Sequence, residues 1–391
     1  MENKVLKPKI RFKGFADTWE QRKLGEIANI IMGQSPDGIN YTDNPTDNIL
    51  IQGNADLDNG IVVPRIWTTQ ITKISKPNDI IFTVRAPVGE VAKNTYTAVI
   101  GRGVASISGN DFLYQTLKKM KEFDYWSKLS AGSTFDSINS EQLKNSEINI
   151  PLNEEQKQIG NFLEKIDNLI TLHQSKYDKL VNVKKALLEK MFPKDGKNVP
   201  EIRFKGFTDT WEQRKLNDAY TFSQGMQVEI ENQEFDKKDN MEQFLRIIDI
   251  TQSNEPPRYI YNKSGKGHVE KDDIFFVRYG AVGTIGYGYT GTIANNLFKL
   301  STSEKYDNNF MFQQFSNGKF NKKLVEMSAS TSMPAINFTA LKNLDFFITT
   351  NDEQKEIGSF FSKLDNLITL HQHKLEKLKN MKKSLLNKMF I

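Results

Sequence analysis

The sequence predicts an α+β protein with two similar mixed α/β domains, separated by two long antiparallel coiled-coil helices, and an internal pseudo-twofold repeat. Three observations predict this fold class. Two blocks of sequence occur twice, the longer block carries the heptad pattern of a long helix, and the segments between blocks alternate short apolar runs with turn residues.

The duplication is the strongest of these observations. Residues 8–24 return as residues 200–216 with 15 of 17 positions identical, and residues 153–192 return as residues 351–390 with 27 of 40 identical. Solenoid repeats have periods of about 20–50 residues, so these larger offsets indicate a duplicated domain. The repeated blocks are expected to bind the same kind of partner twice, and the variable regions two different targets. The predicted segments are a first domain at 1–152, a long helix with linker at 153–199, a second domain at 200–350 and a C-terminal helix at 351–391.

The longer repeated block predicts one continuous helix. Asn153 is a suitable N-cap residue, and Pro193 and Gly196 follow as stop signals. Forty helical residues would make a rod of roughly 60 Å, which cannot bury its apolar stripe alone, so the other copy is the expected partner. Seam positions alternate in steps of four and three, which is typical of a coiled coil. The seam is predicted to contain Ile166, Ile170, His173, Tyr177, Leu180 and Lys184 in the first copy, and Leu364, Ile368, His371, Leu375, Leu378 and Lys382 in the second.

Polar residues interrupt this seam at equivalent positions in both copies, His173 with Lys184 and His371 with Lys382. One interpretation is a device that fixes register and orientation, since polar seam residues specify pairing at a cost in stability. The other is that the helix ends splay, the lysines extend to solvent and the histidines are tolerated. No carboxylate or cysteine cluster accompanies the histidines, so a metal site is not expected.

The variable regions share a strand, turn and strand pattern. Residues 79–85 and 272–278 align at an offset of 193 as apolar strands that end in Arg85 and Arg278, each followed by a turn. Each arginine would present its guanidinium to a base edge or a phosphate, or would pair with a carboxylate of its own domain. Tyr279, which follows Arg278, belongs to the same set of candidate DNA-binding residues.

The next matched position differs between the halves, with Arg102 in the first and Asn295 in the second. Arginine suits guanine and asparagine suits adenine, which makes this a candidate specificity position. A hairpin-turn role explains Asn295 and Asn296 equally well. Hydroxyl groups near the end of each variable region would donate to phosphates or cap a helix. These residues are Ser133 and Thr134 in the first region and Thr331 and Ser332 in the second.

Composition excludes several function classes. The chain has 391 residues, a net charge of +5 and no cysteine, so disulfides and thiolate chemistry are excluded and a reducing cytoplasm is the expected compartment. No signal peptide or membrane-spanning run is visible, so no membrane partner is expected. No Walker A loop or methyltransferase motif of the NPPY type occurs, so we expect no catalytic residue, no bound metal and no cofactor in this chain.

The repeated TWEQRKL segment, the RAPVG and IGRGVASI stretches and the NEEQK and NDEQK helix starts resemble the specificity subunit of type I restriction–modification systems. The resemblance implies two target recognition domains that each read half of a bipartite site in double-stranded DNA, with helices that act as a ruler. It also implies two methyltransferase subunits carrying S-adenosylmethionine, and restriction subunits carrying ATP- and magnesium-dependent translocation and cleavage. Two alternatives remain: an endonuclease with an unrecognised site, and a scaffold for two identical partners that does not bind DNA.

Overall fold

The computed structural model describes residues 7–130, 136–194, 196–251, 255–328, 335–336 and 338–391. The chain forms two compact units: unit 1 comprises Met1–Ser175 and His371–Ile391, and unit 2 comprises Lys176–Leu370. The predicted segments divide the chain at the ends of the long helices, whereas the units divide it within them, because each helix contributes to both cores. In the described residues, no helix is both long enough and apolar enough to cross a bilayer.

The sheets of unit 1 are one antiparallel pair, β1-β13, and two larger sheets. In the six-stranded sheet, the neighbouring strands β9 and β12 are buried along their whole length. Such burial explains why their sequences are mostly apolar and do not alternate between polar and apolar residues. The strands of this unit are β1 (Glu20–Lys23), β2 (Ile30–Met32), β3 (Tyr41–Thr42), β4 (Asn48–Ile51), β5 (Leu57–Asp58), β6 (Ile61–Val62), β7 (Trp67–Thr68), β8 (Ile74–Ser75), β9 (Ile80–Thr83), β10 (Val91–Lys93), β11 (Ala98–Ile100), β12 (Val104–Ile107) and β13 (Glu147–Ile150). The larger sheets have the orders β2-β12-β9-β10-β6-β5 and β3-β7-β4-β11-β8.

Two helices of unit 1, at residues 111–122 and 140–145, begin where a side chain accepts a hydrogen bond from one of their first N–H groups. The Leu113 N–H donates to the Asn110 side chain, and Asn139 forms a capping box with Gln142. The helices are α1 (Leu24–Ile27), α2 (Asp111–Glu122), α3 (Tyr125–Ser130), α4 (Ser140–Asn145) and the long α5 (Asn153–Lys190), of which residues 153–175 belong to this unit.

Unit 2 repeats this plan. Its strands are β14 (Glu212–Lys215), β15 (Thr221–Gln224), β16 (Glu242–Leu245), β17 (Arg258–Ile260), β18 (His268–Val269), β19 (Ile274–Val277), β20 (Ile285–Gly286), β21 (Gly291–Ile293), β22 (Leu297–Ser301) and β23 (Asp345–Ile348). They form the pair β14-β23 and two sheets, β15-β22-β19-β20 and β17-β16-β21-β18. The helices are α6 (Leu216–Ala219), α7 (Ile247–Thr251), α8 (Asn308–Phe315), α9 (Gly318–Ser328), α10 (Phe338–Lys342) and the long α11 (Asn351–Met389).

Both units contain antiparallel stretches of the two long helices. In unit 1, Asp167 of α5 contacts Lys382 of α11 and His173 contacts His371. Apolar residues from both stretches join Trp19 and Phe112 in one buried cluster, namely Ile159, Leu163, Ile166, Leu386, Met389 and the following Phe390. Each such side chain stabilises the fold by about 1.5–3 kcal/mol when it is fully buried. In unit 2, Lys184 contacts Asp365 and the Phe192 and Phe361 rings are 6.2 Å apart.

The first repeated block is anchored to the start of a long helix by a buried ion pair. Arg11 donates from Nε and Nη2 to the two carboxylate oxygens of Glu155, at 2.6 and 2.7 Å. Arg203 makes the same two bonds to Glu353, at 2.6 and 2.7 Å. Both carboxylates are fully buried, so each depends on its arginine to offset the loss of hydration. The identity of the repeated blocks thus has a direct structural cause.

Candidate nucleic-acid interface

An open cleft of about 670 Å³ in unit 1 brings two of the candidate arginines together. Arg85 and Arg102 line it with Met32, Ser137 and Asn139, among others. Arg85 follows β9 by two residues and forms an isolated bridge with Ser137. Residues that are 17 positions apart in the sequence therefore share one concave surface.

The backbone around Arg102 explains why its side chain is exposed. The chain passes from β11 in one sheet to β12 in the other through Gly101-Arg102-Gly103. A Cβ atom at Gly103 would lie 2.1 Å from the carbonyl oxygen of Gln52, so no larger residue fits there without movement. The Arg102 N–H donates to Ser35 Oγ at 3.1 Å, which fixes the turn and leaves the side chain at the rim of the cleft.

Neither guanidinium in the cleft forms an ion pair or a hydrogen bond within the described part of the chain. Asp136 lines the same cleft without forming an ion pair with either arginine. Six other arginines are paired with carboxylates: Arg11, Arg22, Arg65, Arg203, Arg214 and Arg246. Two exposed, unpaired cations in one concave surface favour an anionic or acceptor-rich ligand.

Strand pairing establishes which residues of the two units are equivalent. In unit 1, Thr83 of β9 is opposite Val104 of β12. In unit 2, Val277 of β19 is opposite Leu297 of β22. The β12 and β22 residues are 193 positions apart, but the β9 and β19 residues are 194 apart. The two offsets add up to 387 whichever opposed residues are compared, so they cannot be equal, and one pair of equivalent strands is shifted by one position relative to the other.

This shift corrects the sequence alignment of Arg85 with Arg278, which was wrong by one position. Tyr279 bridges to Ala335 as Arg85 bridges to Ser137, so Tyr279 is the structural equivalent of Arg85. Arg278 takes the place of the buried Val84. An unbroken apolar strand has no alternation of polar and apolar residues to fix its register, and two arginines near its end suggested a false match.

Arg278 accordingly belongs to the packing of its own domain. Its guanidinium carbon lies 5.6 Å from the centre of the Phe298 ring, and its Nε is buried with no hydrogen-bond partner in the described residues. The backbone N–H donates to the Asn296 carbonyl and the carbonyl accepts from the Ile336 N–H, both at 2.8 Å.

Because Tyr279 is the equivalent of Arg85, the strand pairing makes Asn295 the equivalent of Arg102, at an offset of 193. Its Nδ2 donates to Gln227 Oε1 at 3.4 Å, and its carbonyl accepts from Gln224 Nε2 at 2.6 Å. The adjacent Asn296 has a buried Oδ1 without a partner in the described residues. Among those residues, four non-glycine residues have positive φ, and neither Asn295 nor Asn296 is one of them. The turn thus does not require asparagine.

The hydroxyl candidates cannot be placed in either interface. Ser133, Thr134, Thr331 and Ser332 lie outside the described residues. Sequence reasoning missed Ser35 and Gln52, which hold the turn at Arg102.

The helix seam of unit 1 contains two polar contacts. The Nδ1 atoms of His173 and His371 are 2.8 Å apart. The Lys382 ammonium donates to Asp167, which also accepts from Gln115 Nε2 at 2.7 Å and lies 3.6 Å from Lys118 Nζ. Burial and the neighbouring Lys118 charge lower the pKa of Lys382 to about 8. Lys382 is therefore enclosed and paired, and does not extend to solvent.

The equivalent contact in unit 2 uses the same residue types. The Lys184 ammonium donates to Asp365 at 2.5 Å, and Gln313 donates to the same carboxylate at 2.8 Å. The position that corresponds to Lys118, 198 residues later, is Ser316. An uncharged side chain therefore replaces the second lysine that lies near the aspartate in unit 1. Seam residues in both units are buried or half-buried, while the residues between them are mostly exposed.

A family model for the type I restriction–modification DNA specificity domain matches residues 16–182 and 208–380, which is most of the chain. The chain belongs to this family. A putative type I restriction enzyme MjaX specificity subunit from Methanocaldococcus jannaschii is 32% identical over 181 residues, which cover 44% of this chain and 42% of that protein. The MjaVIII specificity subunit of the same organism is 25% identical over 295 residues, covering 71% and 68%.

The fold of the family is also found in a solved structure. The crystal structure of a type I restriction–modification system S subunit from M. genitalium matches with a TM-score of 0.75 and 16% identity, covering 98% of this chain and 99% of that one. At this identity the likeness supports the fold alone. The predicted fold class, with mixed α/β recognition domains and long paired helices, is thus confirmed.

One exposed surface of this family member occurs in both units. Residues 167–174 and 365–372 are identical, and they are the longest uninterrupted identity in the helical block. Leu169 and Leu172 are 44% and 48% exposed, and Leu367 and Leu370 are each 46% exposed. Several buried neighbours differ between the copies, including Leu163 with Phe361 and Ile166 with Leu364. Exposed residues retained where core residues vary are typical of a contact surface.

Within the described ranges, no group of three or more histidine, aspartate or glutamate side chains is arranged to hold a metal ion. The two seam histidines face each other without a third ligand-type residue in such a group. The cleft of unit 1 presents arginines, a serine and an asparagine. These side chains suit recognition through hydrogen bonds and charge.

Proposed function

We propose that this chain is the sequence-specific DNA-binding subunit of a type I restriction–modification complex, with each unit reading one part of a bipartite site. This proposal rests on the cleft in which Arg85 and Arg102 are exposed and have no ion pair or hydrogen bond within the described residues. Most of the arginines outside this cleft are neutralised within the fold, so the two free guanidiniums would be available to phosphates and base edges.

The same argument supports two different half-sites. Tyr279 and Asn295 occupy in unit 2 the places that Arg85 and Arg102 occupy in unit 1. Two domains of one fold that present different donors and acceptors at equivalent positions would read different bases.

Two methyltransferase subunits are the partners that we propose for the duplicated helix surface. Leu169 and Leu172 in unit 1, and Leu367 and Leu370 in unit 2, offer the same apolar contact twice. Each surface would bury against one of two identical subunits. Those subunits would carry S-adenosylmethionine, and restriction subunits would carry the ATP- and magnesium-dependent steps. The chain itself would direct methylation and cleavage without a catalytic centre of its own.

The test is to express the full chain with its partner subunits in a host that lacks other DNA methylation, and to map the methylated motif. A bipartite motif is expected. Substituting Arg85→Ala and Arg102→Ala together should abolish recognition of one half-site. The matched control is Arg22→Gln, which removes an exposed arginine that is paired with Glu26 at 3.0 Å. Motif-independent methylation, or an unchanged motif in the double variant, would contradict the proposal.

A further inference from the structure

The equivalent positions in the two units have side chains with different hydrogen-bonding chemistry, and this difference specifies which bases they suit. We infer that unit 1 reads a guanine through Arg102, supported by Arg85, and that unit 2 reads an adenine through Asn295, with Tyr279 in the place of Arg85. The inference rests on the proposed function and adds the class of base pair in each half-site.

Arg102 has the freedom that guanine recognition requires. Its backbone is held by Ser35 and by the glycines of the turn, while its side chain is exposed and unpaired in the described residues. A guanidinium donates two parallel hydrogen bonds, which match the O6 and N7 acceptors of guanine in the major groove. Arg85 lines the same cleft, and a second positive charge there would be stabilised by those acceptors or by a flanking phosphate.

Asn295 retains the atoms that adenine recognition requires. Adenine presents one donor and one acceptor in the major groove, and an asparagine amide matches both. The bond to Gln227 uses one of the two Nδ2 hydrogens, and the second hydrogen and Oδ1 make no hydrogen bond among the described residues. Gln227 would thus be a positioning residue that orients the amide. Since Asn295 does not have a positive φ, turn geometry gives no competing reason for asparagine at this position.

Arg278 provides the contrast within the same domain. Its guanidinium lies against Phe298, and its position corresponds to the buried Val84 in unit 1. A sequence comparison would treat it as the partner of Arg85, whereas the register of β19 assigns that role to Tyr279. We therefore expect its replacement to affect packing and to leave the recognised bases unchanged.

The experiment is a reciprocal exchange in the full chain, expressed with its partner subunits, followed by mapping of methylated motifs. Arg102→Asn should lose preference for a G·C pair in one half-site only, and Asn295→Arg should lose preference for an A·T pair in the other only. The loss of discrimination should be roughly 5- to 150-fold at the affected position, equivalent to about 1–3 kcal/mol at 1.4 kcal/mol per tenfold change. Arg278→Val is the matched control and should keep both half-sites.

Binding of the purified complexes to DNA at several salt concentrations completes the test for any variant that no longer methylates. If Arg102→Asn weakened binding equally for all DNA sequences and made the affinity less dependent on salt concentration, Arg102 would be contacting a phosphate. That result would overturn the inference. A wild-type first half-site without guanine on either strand would overturn it too. Both outcomes leave a sequence-specific motif in place, whereas failure of the proposed function would leave none.

Discussion

Lys118 and Lys382 share a single carboxylate, that of Asp167, in the core of unit 1. Burial first, and then the charge of Lys118, lower the pKa of Lys382 from 10.5 to about 8. One carboxylate therefore faces two ammonium groups. Unit 2 has the same lysine–aspartate pair, Lys184 with Asp365, and Ser316 in the place of the extra lysine. The two units thus provide an internal comparison of one cluster with and without the additional charge.

This relationship predicts a pH dependence of stability. Below about pH 8, Lys382 is charged in both the folded and the unfolded chain, and the folded state bears the cost of burying that charge. Between about pH 8 and 10.5 the folded chain releases the proton while the unfolded chain retains it, so this group raises the free energy of unfolding as pH rises. Lys118→Ser should reduce that rise, because the charge of Lys118 is one of the causes of the lowered pKa of Lys382.

Denaturant unfolding of wild type and variant at pH 7 and pH 9.5 measures this difference in pH dependence. The matched control is Ser316→Lys, which adds the corresponding charge in unit 2 and should increase the rise in the free energy of unfolding between the two pH values. An identical pH dependence in Lys118→Ser and the wild type would contradict the assignment.

The buried pairs of the first repeated block predict a larger effect. Glu155 is fully buried and receives both of its hydrogen bonds from Arg11. Removing one partner of a buried pair leaves an uncompensated charge, so Arg11→Met should lower the free energy of unfolding by about 3–5 kcal/mol. Arg22→Gln breaks an exposed pair and should change it by less than about 1 kcal/mol. Equal effects of the two substitutions on the denaturation midpoint would refute the distinction.

The repeated parts of the chain were predictable from the sequence because local rules determine them. Heptad spacing predicted α5 and α11, and near-identity of the blocks predicted that their environments would repeat. Lys382 shows the limit of this reasoning. Its place in the seam follows from spacing, but its burial depends on Asp167 and Gln115, and Gln115 comes from a helix that no seam pattern includes.

The candidate interface was less predictable, because its geometry depends on pairing between distant strands. The positions of Arg85 and Arg102 in one cleft depend on the register of β9 and β12, which residue spacing does not specify. The same dependence led to the false match of Arg278. Ser35 and Gln52 hold the turn at Arg102. They lie in segments between strands whose lengths differ between the units, so comparing the two halves of the sequence did not identify them.

The turn beside Arg102 predicts a sharp difference between glycines. Gly103→Ala would place a Cβ 2.1 Å from the Gln52 carbonyl, a backbone atom that cannot move without displacing β4. We expect destabilisation of about 1–3 kcal/mol and weaker recognition by unit 1 only. Gly38→Ala is the control, because its Cβ would meet nothing within 4 Å and its φ is not positive. Thermal unfolding and motif mapping check the pair, and equal behaviour of the two variants would contradict the steric argument.

The identity of the helical blocks predicts that residues 1–198 alone form a symmetric dimer. Unit 1 is completed by Leu386 and Met389 from α11 and by Phe390, which follows that helix. Each of these has an identical counterpart 198 positions earlier, namely Leu188, Met191 and Phe192. A second copy of the fragment can therefore supply the same apolar contacts, and its Lys184 can pair with Asp167 as Lys382 does in the full chain.

Sedimentation of the fragment at tens of micromolar measures this association, and charge reversal tests its geometry. Lys184→Glu would place two carboxylates together, so the dissociation constant of the dimer should rise by about tenfold or more. Adding Asp167→Lys to the same fragment restores opposite charges across both symmetric contacts and should restore association. A lysine at position 167 would also lie near Lys118, so recovery should be partial and should improve with Lys118→Ser. A fragment that is monomeric at these concentrations, or a double variant no better than the single one, would exclude this pairing.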